Sequence, residues 1–311
     1  MEAEFFIVDV FAEEKYTGNQ LAVITDAAEL DTETMQAIAA EMAYSETTFV
    51  TGPPEQGVWP VRIFTPTDEI PFAGHPTLGT AAVIREELRS EGSDKLASET
   101  SDALSSESPD ELTLGLGVGE IPVQIRREDG REVFWMQQRE PSFGPERSHE
   151  QAATVLGLQS SDSGGVDTDW PVQVVSTGLP TVIVPLTDRN ALTDIELNRA
   201  AYDKLVGATG AKLVLAFCPD PRRPENDIAA RMFAPALGVT EDPATGSANG
   251  CLGAYLARHE YFGSLSVTAR VEQGHELGRP SLLLIAAQRV DETVRVSVGG
   301  EVKFVARGVL Q

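Results

Sequence analysis

The segment FTPTDEIPFAGHPTLGTAAVI, Phe64 to Ile84, returns in the second half of the chain as FAPALGVTEDPATGSANGCLGAYL, Phe233 to Leu256. Both copies open with Phe-x-Pro. Each then carries a polar residue followed by P-x-x-G-S/T-A: His75-Pro76-Thr77-Leu78-Gly79-Thr80-Ala81 in the first and Asp242-Pro243-Ala244-Thr245-Gly246-Ser247-Ala248 in the second. Both end in an apolar run of helical character. A strand, a turn and a helix opening on Pro, Gly and Ser/Thr leave backbone N–H groups with a positive partial charge at the helix start, and such an end holds carboxylate or phosphate. One copy alone would read as ordinary capping chemistry. Two copies predict two similar domains related by an approximate two-fold, with a helix start from each facing an interdomain cleft, a favoured place for a small-molecule site. The unlike residues at the matching positions, His75 and Asp242, predict an asymmetric ligand.

Around this repeat the chain alternates between the two-residue period of strands and the period of helices. FFIVDVF and LAVITDA are β-like, DTETMQAIAAEMA reads as a helix capped at Asp31/Thr32, and TTFVTG and VRIFTP return to strand. HPTLGTAAVIREEL is a helix with proline at its start, where a missing N–H costs nothing. Further strands are expected in ELTLGLGVGEIPVQI, REVFWMQQ, VQVVST, TVIVPL, AKLVLAF and IAARMFAP. From Arg89 to Glu111 the chain is rich in Ser, Asp and Glu and has no apolar period to supply a core face, which predicts a surface loop. The GLGVG at Gly115–Gly119 lacks the following helix that a dinucleotide site requires, since β-like EIPVQI comes next.

Composition narrows the partners. The chain has 311 residues, enough for two domains with cores of their own, and 48 Asp+Glu against 24 Lys+Arg give a formal charge of −24. That charge repels nucleic-acid phosphates and anionic lipid. No run reaches the ~20 apolar residues that cross a bilayer, and the first apolar run lacks a basic flank, so a cytoplasmic protein is expected. Few lysines and acids spread along the whole chain predict a salt-adapted source, because at 1 M salt the Debye length falls to about 3 Å and self-repulsion is screened. Equal stability in dilute buffer and in molar KCl would refute that expectation. Cys218 and Cys251 have no metal or redox spacing and read as small buried hydrophobes. His149, His259 and His275 show no ligand pattern, and no metal site is expected.

GNQLAVI, YSETTFV, FTPTDEIPFAGHPTLGTA, STGLPTVIVPL, MFAPALGVTEDPATGSANG and QGHELGRPS occur in this order, and together they resemble the phenazine-biosynthesis PhzF-like family from about Val8 to Leu310. The resemblance implies an α+β, diaminopimelate-epimerase-like fold: two pseudo-symmetric domains, each a curved, mostly antiparallel sheet wrapped around a central helix. The expected division is 1–120, completed by 293–311, and 121–292. It also implies a homodimer and a cofactor-independent isomerase that moves a proton on a small carboxylate-bearing substrate.

The epimerase relatives place a cysteine at each helix start; His75 and Asp242 stand there in this chain, which disfavours two-thiol racemisation. By the motif match Glu46 of YSETTFV would be the general acid/base, although nothing in the residue alone singles it out from the other acids. A glutamate in an apolar setting, here Phe49, Phe72 and Ala73, suits a proton shuttle working near neutral pH. His75 and Asp242 would bind and orient the substrate, and Gly74, Gly246 and Ser247 would hold its carboxylate. Gln273, Gly274 and Arg279 match a further family segment; the glycine is expected in a turn, and the arginine either pairs structurally or lines the cleft. The chain departs from the family pattern at Gln20, where proline is usual, and in the Arg89–Glu111 insertion. Two alternatives stay open: an epimerase or racemase with unlike bases, and a metabolite-binding protein without catalysis.

Overall fold

The computed structural model describes residues 2–98, 110–158 and 165–311. The chain divides into two compact units: Met1–Tyr16, Gln20–Met136 and Gly300–Gln311 form the first, and Thr17–Asn19 with Gln137–Gly299 the second.

The first unit contains β1 (Ala3–Val10), β2 (Asn19–Ile24), α1 (Thr32–Met42), β3 (Thr47–Val50), β4 (Val58–Phe64), β5 (Glu69–Ile70), α2 (Gly74–Ser98), β6 (Glu111–Leu116), β7 (Gly119–Glu128) and β8 (Arg131–Gln137). The second contains β9 (Ser142–Arg147), α3 (His149–Leu156), β10 (Val172–Ser176), β11 (Pro180–Pro185), α4 (Arg189–Thr193), α5 (Arg199–Thr209), β12 (Leu213–Cys218), β13 (Ile228–Ala234), β14 (Val239–Asp242), α6 (Gly246–Arg258), β15 (Ser266–Gln273), β16 (Ser281–Val290) and β17 (Thr293–Gly300). The last strand, β18 (Val302–Leu310), returns to the first unit and pairs antiparallel with β1.

Strand pairing repeats from one unit to the other. In the first, β2 runs parallel to β3, β3 antiparallel to β4, β4 parallel to β6, and β6, β7 and β8 form an antiparallel meander. In the second, β11 is parallel to β12, β12 antiparallel to β13, β13 parallel to β15, and β15, β16 and β17 form the matching meander. Within its own unit each repeat helix packs on the corresponding strands: α2 on β1, β3, β6 and β7, and α6 on β10, β12, β15 and β16. A helix surrounded in this way has to be apolar on most sides. Every residue of α6 from Ala248 to Ala257 is buried.

Close approach explains a glycine in each helix. A β-carbon on Gly79 would lie 2.5 Å from Leu21 Cδ2, and one on Gly253 would lie 2.5 Å from Ile285 Cγ2. Cores packed to crystal density have no room for that extra atom. On the opposite face of each sheet lies a second cluster, with Met35 and Ala39 of α1 against Phe49 and Phe64 in the first unit, and Leu156, Tyr202 and Leu205 of α3 and α5 against Val182 and Val214 in the second.

The secondary structure follows local chemistry. Asp31 accepts the Thr34 N–H at 2.8 Å and caps α1. The glycine-rich GLGVG turns β6 into β7, with Leu116 opposite Gly119. Three expectations are corrected. The surface loop expected from Arg89 does not begin there: α2 continues to Ser98, residues 99–109 lie outside the described residues, and Glu111 already starts β6. Once a helix is nucleated each further residue adds a hydrogen bond at little cost, so a polar composition does not end it. The division at 120/121 moves to 136/137, because β7 and β8 pair back onto β6. The last strand pair also divides, since β17 stays with β16 in the second unit and only Gly300–Gln311 returns to the first.

The candidate active site in each half

Glu46 is the residue immediately before β3, and side chains alternate across a strand. Thr48, on the same face as Glu46, meets Thr80 of α2 through an Oγ1···Oγ1 contact of 2.7 Å. One pleat earlier, Glu46 therefore reaches the start of α2, and its Oε2 lies 3.5 Å from His75 Nε2. The glutamate side chain is 18% exposed and the histidine 7%. Phe49 takes the other face and packs edge-to-face on Phe64, ring centroids 5.3 Å apart. It belongs to the α1 core and does not supply the apolar wall beside Glu46 that the sequence suggested.

His75 is the second residue of α2, after the buried Gly74. Its ring donates to the backbone carbonyl of Gln20, while burial, the larger effect, pushes its pKa down to about 3. The imidazole is accordingly neutral near pH 7. Nε2 is buried and has no hydrogen-bond partner among the described residues, so the donated proton is on Nδ1 and Nε2 presents a lone pair towards Glu46. The bond uses the backbone carbonyl of residue 20, so it does not depend on the side chain there.

The second half builds a different arrangement from the matching residues. Asp242 ends β14, buried, and its carboxylate accepts from Asn19 Nδ2 at 3.0 Å on one oxygen and from the Thr245 hydroxyl on the other. Burial pushes its pKa up to about 6, and the Thr245 and Asn19 hydrogen bonds pull against that rise. Its backbone carbonyl accepts from Gln273 Nε2 at 2.8 Å. Helix α6 begins at Gly246 with Thr245 as N-cap, yet the Thr245 side chain makes no capping hydrogen bond; its hydroxyl donates to Asp242 and accepts from Gln273 Nε2 instead. The first N–H groups of α6, at Gly246 and Ser247, are thus left without a side-chain cap, the condition that suits an anion.

The expectation of matching helix starts needs correction. Gly79 and Gly246 align in sequence, but α2 starts at Gly74, ahead of His75, whereas α6 starts at Gly246, beyond Asp242. Pro76 falls inside the first turn of α2, where no N–H is needed, and so does not fix the boundary. The histidine is therefore a helix residue and the aspartate a strand-end residue. Arg279 takes the structural role: its Nε donates to Gly18 O at 2.9 Å, and Gly18 N donates to Pro280 O at 2.9 Å, which pins the segment carrying Asn19. Gly274 adopts φ 78°, and a β-carbon there would lie 2.5 Å from Pro243 O, so only glycine fits this turn.

Sequence reasoning missed Asn19 and Thr245 as partners of Asp242. The segments GNQLAVI and QGHELGRPS carried the signal, since they reach the aspartate through Asn19 and Gln273. Cys251 lies in mid-helix, its Sγ 3.6 Å from Thr177 Oγ1, with its thiol pKa raised by burial; Cys218 ends β12, pushed up to about 11 by burial. Neither stands at a helix start. Among the described residues no three His, Cys, Asp or Glu are placed to hold a metal ion, and no helix is long and apolar enough to cross a membrane.

The family model described as phenazine biosynthesis-like protein matches residues 8–308. The chain is 34% identical to a trans-2,3-dihydro-3-hydroxyanthranilate isomerase of Pseudomonas aeruginosa, the alignment covering 98% of each. The crystal structure of a PhzF-family phenazine biosynthesis protein from Bacillus anthracis is similar at TM-score 0.85 and 26% identity, over 100% of this chain and 99% of that one. A predicted epimerase from Pseudomonas aeruginosa gives TM-score 0.75 and 31% identity, over 99% of each. The likeness runs over the full length, and the chain belongs to the phenazine biosynthesis-like (PhzF) family and is an isomerase.

Proposed function

We propose that this isomerase moves one proton on a small, carboxylate-bearing ring, with Glu46 as the only general acid/base. The observation that carries the reading is the contact between Glu46 Oε2 and the neutral, lone-pair-bearing Nε2 of His75 at 3.5 Å. As a carboxylate, Glu46 takes a proton from a ring carbon; the C–H electrons become a carbon–carbon double bond, and the neighbouring double bond opens to receive a proton elsewhere. As a carboxylic acid, Glu46 finds an acceptor in His75 Nε2, which holds the proton-bearing oxygen until it is delivered. The ring ends with the atoms and electrons it began with, so the step calls for no oxidant and no cofactor. Asp242 orients the polar groups of the substrate. The uncapped N–H groups of Gly246 and Ser247, together with the backbone at Gly74, hold its carboxylate.

The pairing registers favour one base over two. Thr47 pairs with Phe64 and Val214 with Phe233, so the repeat that aligns the two phenylalanines aligns Glu46 with Leu213. Leu213 is buried and cannot carry a proton. The second reading, an epimerase with unlike bases, is favoured by the predicted epimerase among the similar structures; it requires His75 or Asp242 to act as the other base, and Asp242 would first have to leave its hydrogen bonds. A cytoplasmic homodimer in a salt-adapted cell completes the proposal, supported by the family resemblance and by the formal charge of −24.

The test is turnover of trans-2,3-dihydro-3-hydroxyanthranilate, the compound named for the Pseudomonas relative, and of related cyclic amino acids in D2O. A single shuttle returns part of the original hydrogen to the product. Full solvent label at a stereocentre with unchanged connectivity would replace this reading by the epimerase, and binding of carboxylates without turnover of any of them would replace it by a binding protein.

A further inference from the structure

The amide and hydroxyl hydrogens of four side chains linked to Asp242, those of Asn19, Thr245, Asn249 and Gln273, can be counted, and each of them is used. Asn19 Nδ2 places its two N–H bonds on Asp242 Oδ1 at 3.0 Å and Ala244 O at 2.9 Å. Gln273 Nε2 places its two on the Asp242 backbone carbonyl at 2.8 Å and on Thr245 Oγ1 at 3.3 Å. Asn249 Nδ2 places its two on Gln273 Oε1 at 2.8 Å and Thr245 O at 3.0 Å. The Thr245 hydroxyl has a single hydrogen, and Asp242 Oδ2 receives it.

This saturation fixes directions. Turning the Gln273 amide over would set its oxygen against the Asp242 carbonyl and its NH2 against the NH2 of Asn249. Turning Asn249 over would set its oxygen against two others. Asn249 Oδ1 is buried with no hydrogen-bond partner among the described residues, a penalty that persists only where two donated bonds over-determine the orientation. Thr245 Oγ1 donates its single hydrogen to the acceptor-only carboxylate of Asp242 and accepts from Gln273 Nε2 on a lone pair, and the accepted bond holds the hydroxyl rotor in that direction.

We propose that Gln273 and Asn249 are positioning residues that act through Thr245: they lock the hydroxyl as a donor to Asp242 and so set the pH at which this carboxylate takes up a proton. The inference rests on the reading of Asp242 as the group that orients the substrate, because only then does its charge govern turnover. Charged neighbours on the surrounding elements are already engaged. Glu241 of β14 and Arg231 of β13 form an ion pair at 2.8 Å. Glu272 of β15 points to the opposite face from Gln273 and accepts from Arg222 N at 2.7 Å, Arg223 N at 2.9 Å and Asn226 Nδ2 at 2.7 Å, with His275 3.7 Å away. Arg279 is spent on Thr17 and Gly18 carbonyls, and Arg258 is at the far end of α6. What remains to tune the aspartate is burial against two neutral donors, and one of those, Thr245, takes its direction from Gln273.

The experiment is a carbon-13 carboxyl titration of Asp242 by NMR in the full-length protein, with Asp242→Asn to assign the resonance. Thr245→Val removes the donor at constant shape and is expected to move the midpoint up by about one pH unit, the scale of a hydrogen bond to a charged group. Gln273→Met frees the hydroxyl to turn and moves the midpoint the same way by less, and Thr245→Ser restores the original value. An unmoved midpoint in Thr245→Val, or in Gln273→Met should the first variant not fold, overturns the proposal. The two readings fail separately: full turnover by Asp242→Asn removes Asp242 from the reaction, whereas the NMR midpoint judges the relay whether or not a substrate is known. If both hold, the limb of the pH–rate profile assigned to Asp242 moves with the NMR midpoint.

Discussion

Glu46→Gln lowers turnover by a factor of about 10²–10⁴, the range a positioned general acid/base contributes, and leaves the melting temperature nearly unchanged. The amide keeps the volume and planarity of the carboxylate, and its N–H can still be accepted by His75 Nε2, so the local packing survives while the exchangeable proton is lost. Glu46 precedes β3, whose pairings start at Thr47, and no backbone hydrogen bond of the sheet depends on its charge. The measurement is kcat with the same substrate panel alongside a thermal melt; an unchanged kcat at an unchanged melt removes Glu46 from the chemistry. Because burial holds His75 near pKa 3, no ionisation of His75 appears between pH 5 and 9, and a limb in that range is the work of other groups.

The second large effect concerns stability. Arg231, 8% exposed, forks onto both oxygens of Glu241 at 2.8 Å and donates through Nη1 to the carbonyls of Leu192, Thr193 and Ile195 at 3.0, 3.3 and 3.4 Å. It thus joins the β13–β14 hairpin to the end of the short helix α4. A buried ion pair weighs attraction against desolvation and is worth little net, but removing one partner strands the other. Arg231→Met is therefore expected to cost about 3–5 kcal/mol, read as a lower midpoint in urea with an unchanged slope. Adding Glu241→Leu should recover more than half of that loss, because the stranded charge goes with it, and the residue that remains is the price of three carbonyls without a donor. A double variant as unstable as the single one would place the energy in the helix-end contacts and not in the charge pair.

The repeat made the architecture legible because it contains both kinds of signal at once. Phe-x-Pro marks the end of β4 and of β13, and P-x-x-G-S/T-A marks the approach to α2 and α6, so two local patterns at matching separations imply two copies of one unit. The pairing of β2 with β3 and of β11 with β12 follows from the same parallel crossover. What the repeat could not show is how far the copies had diverged. Capping rules treat the proline as the boundary, but a proline is equally comfortable at the third residue of α2, and His75 moved inside the helix while Asp242 stayed outside it. Glu46 lies outside the repeat altogether. Its place is fixed by strand alternation together with the packing of α2, and neither is written near it in the chain. Asn19 reaches Asp242 across 223 residues of sequence, a contact that no local pattern encodes.

The pairing of β1 with β18 sets Ala3 opposite Leu310, so the first strand of the chain waits for the last. During synthesis the second unit, whose residues apart from Thr17–Asn19 run continuously from Gln137 to Gly299, has all its strands outside the ribosome before the first unit can close its sheet. The N-terminal half is thus made first and completed last, and through that interval β1 carries an unpaired edge of the kind that recruits other chains. The same adjacency sets Ala3 beside Leu310, so a short linker between β18 and β1 could join them and a new start be opened elsewhere.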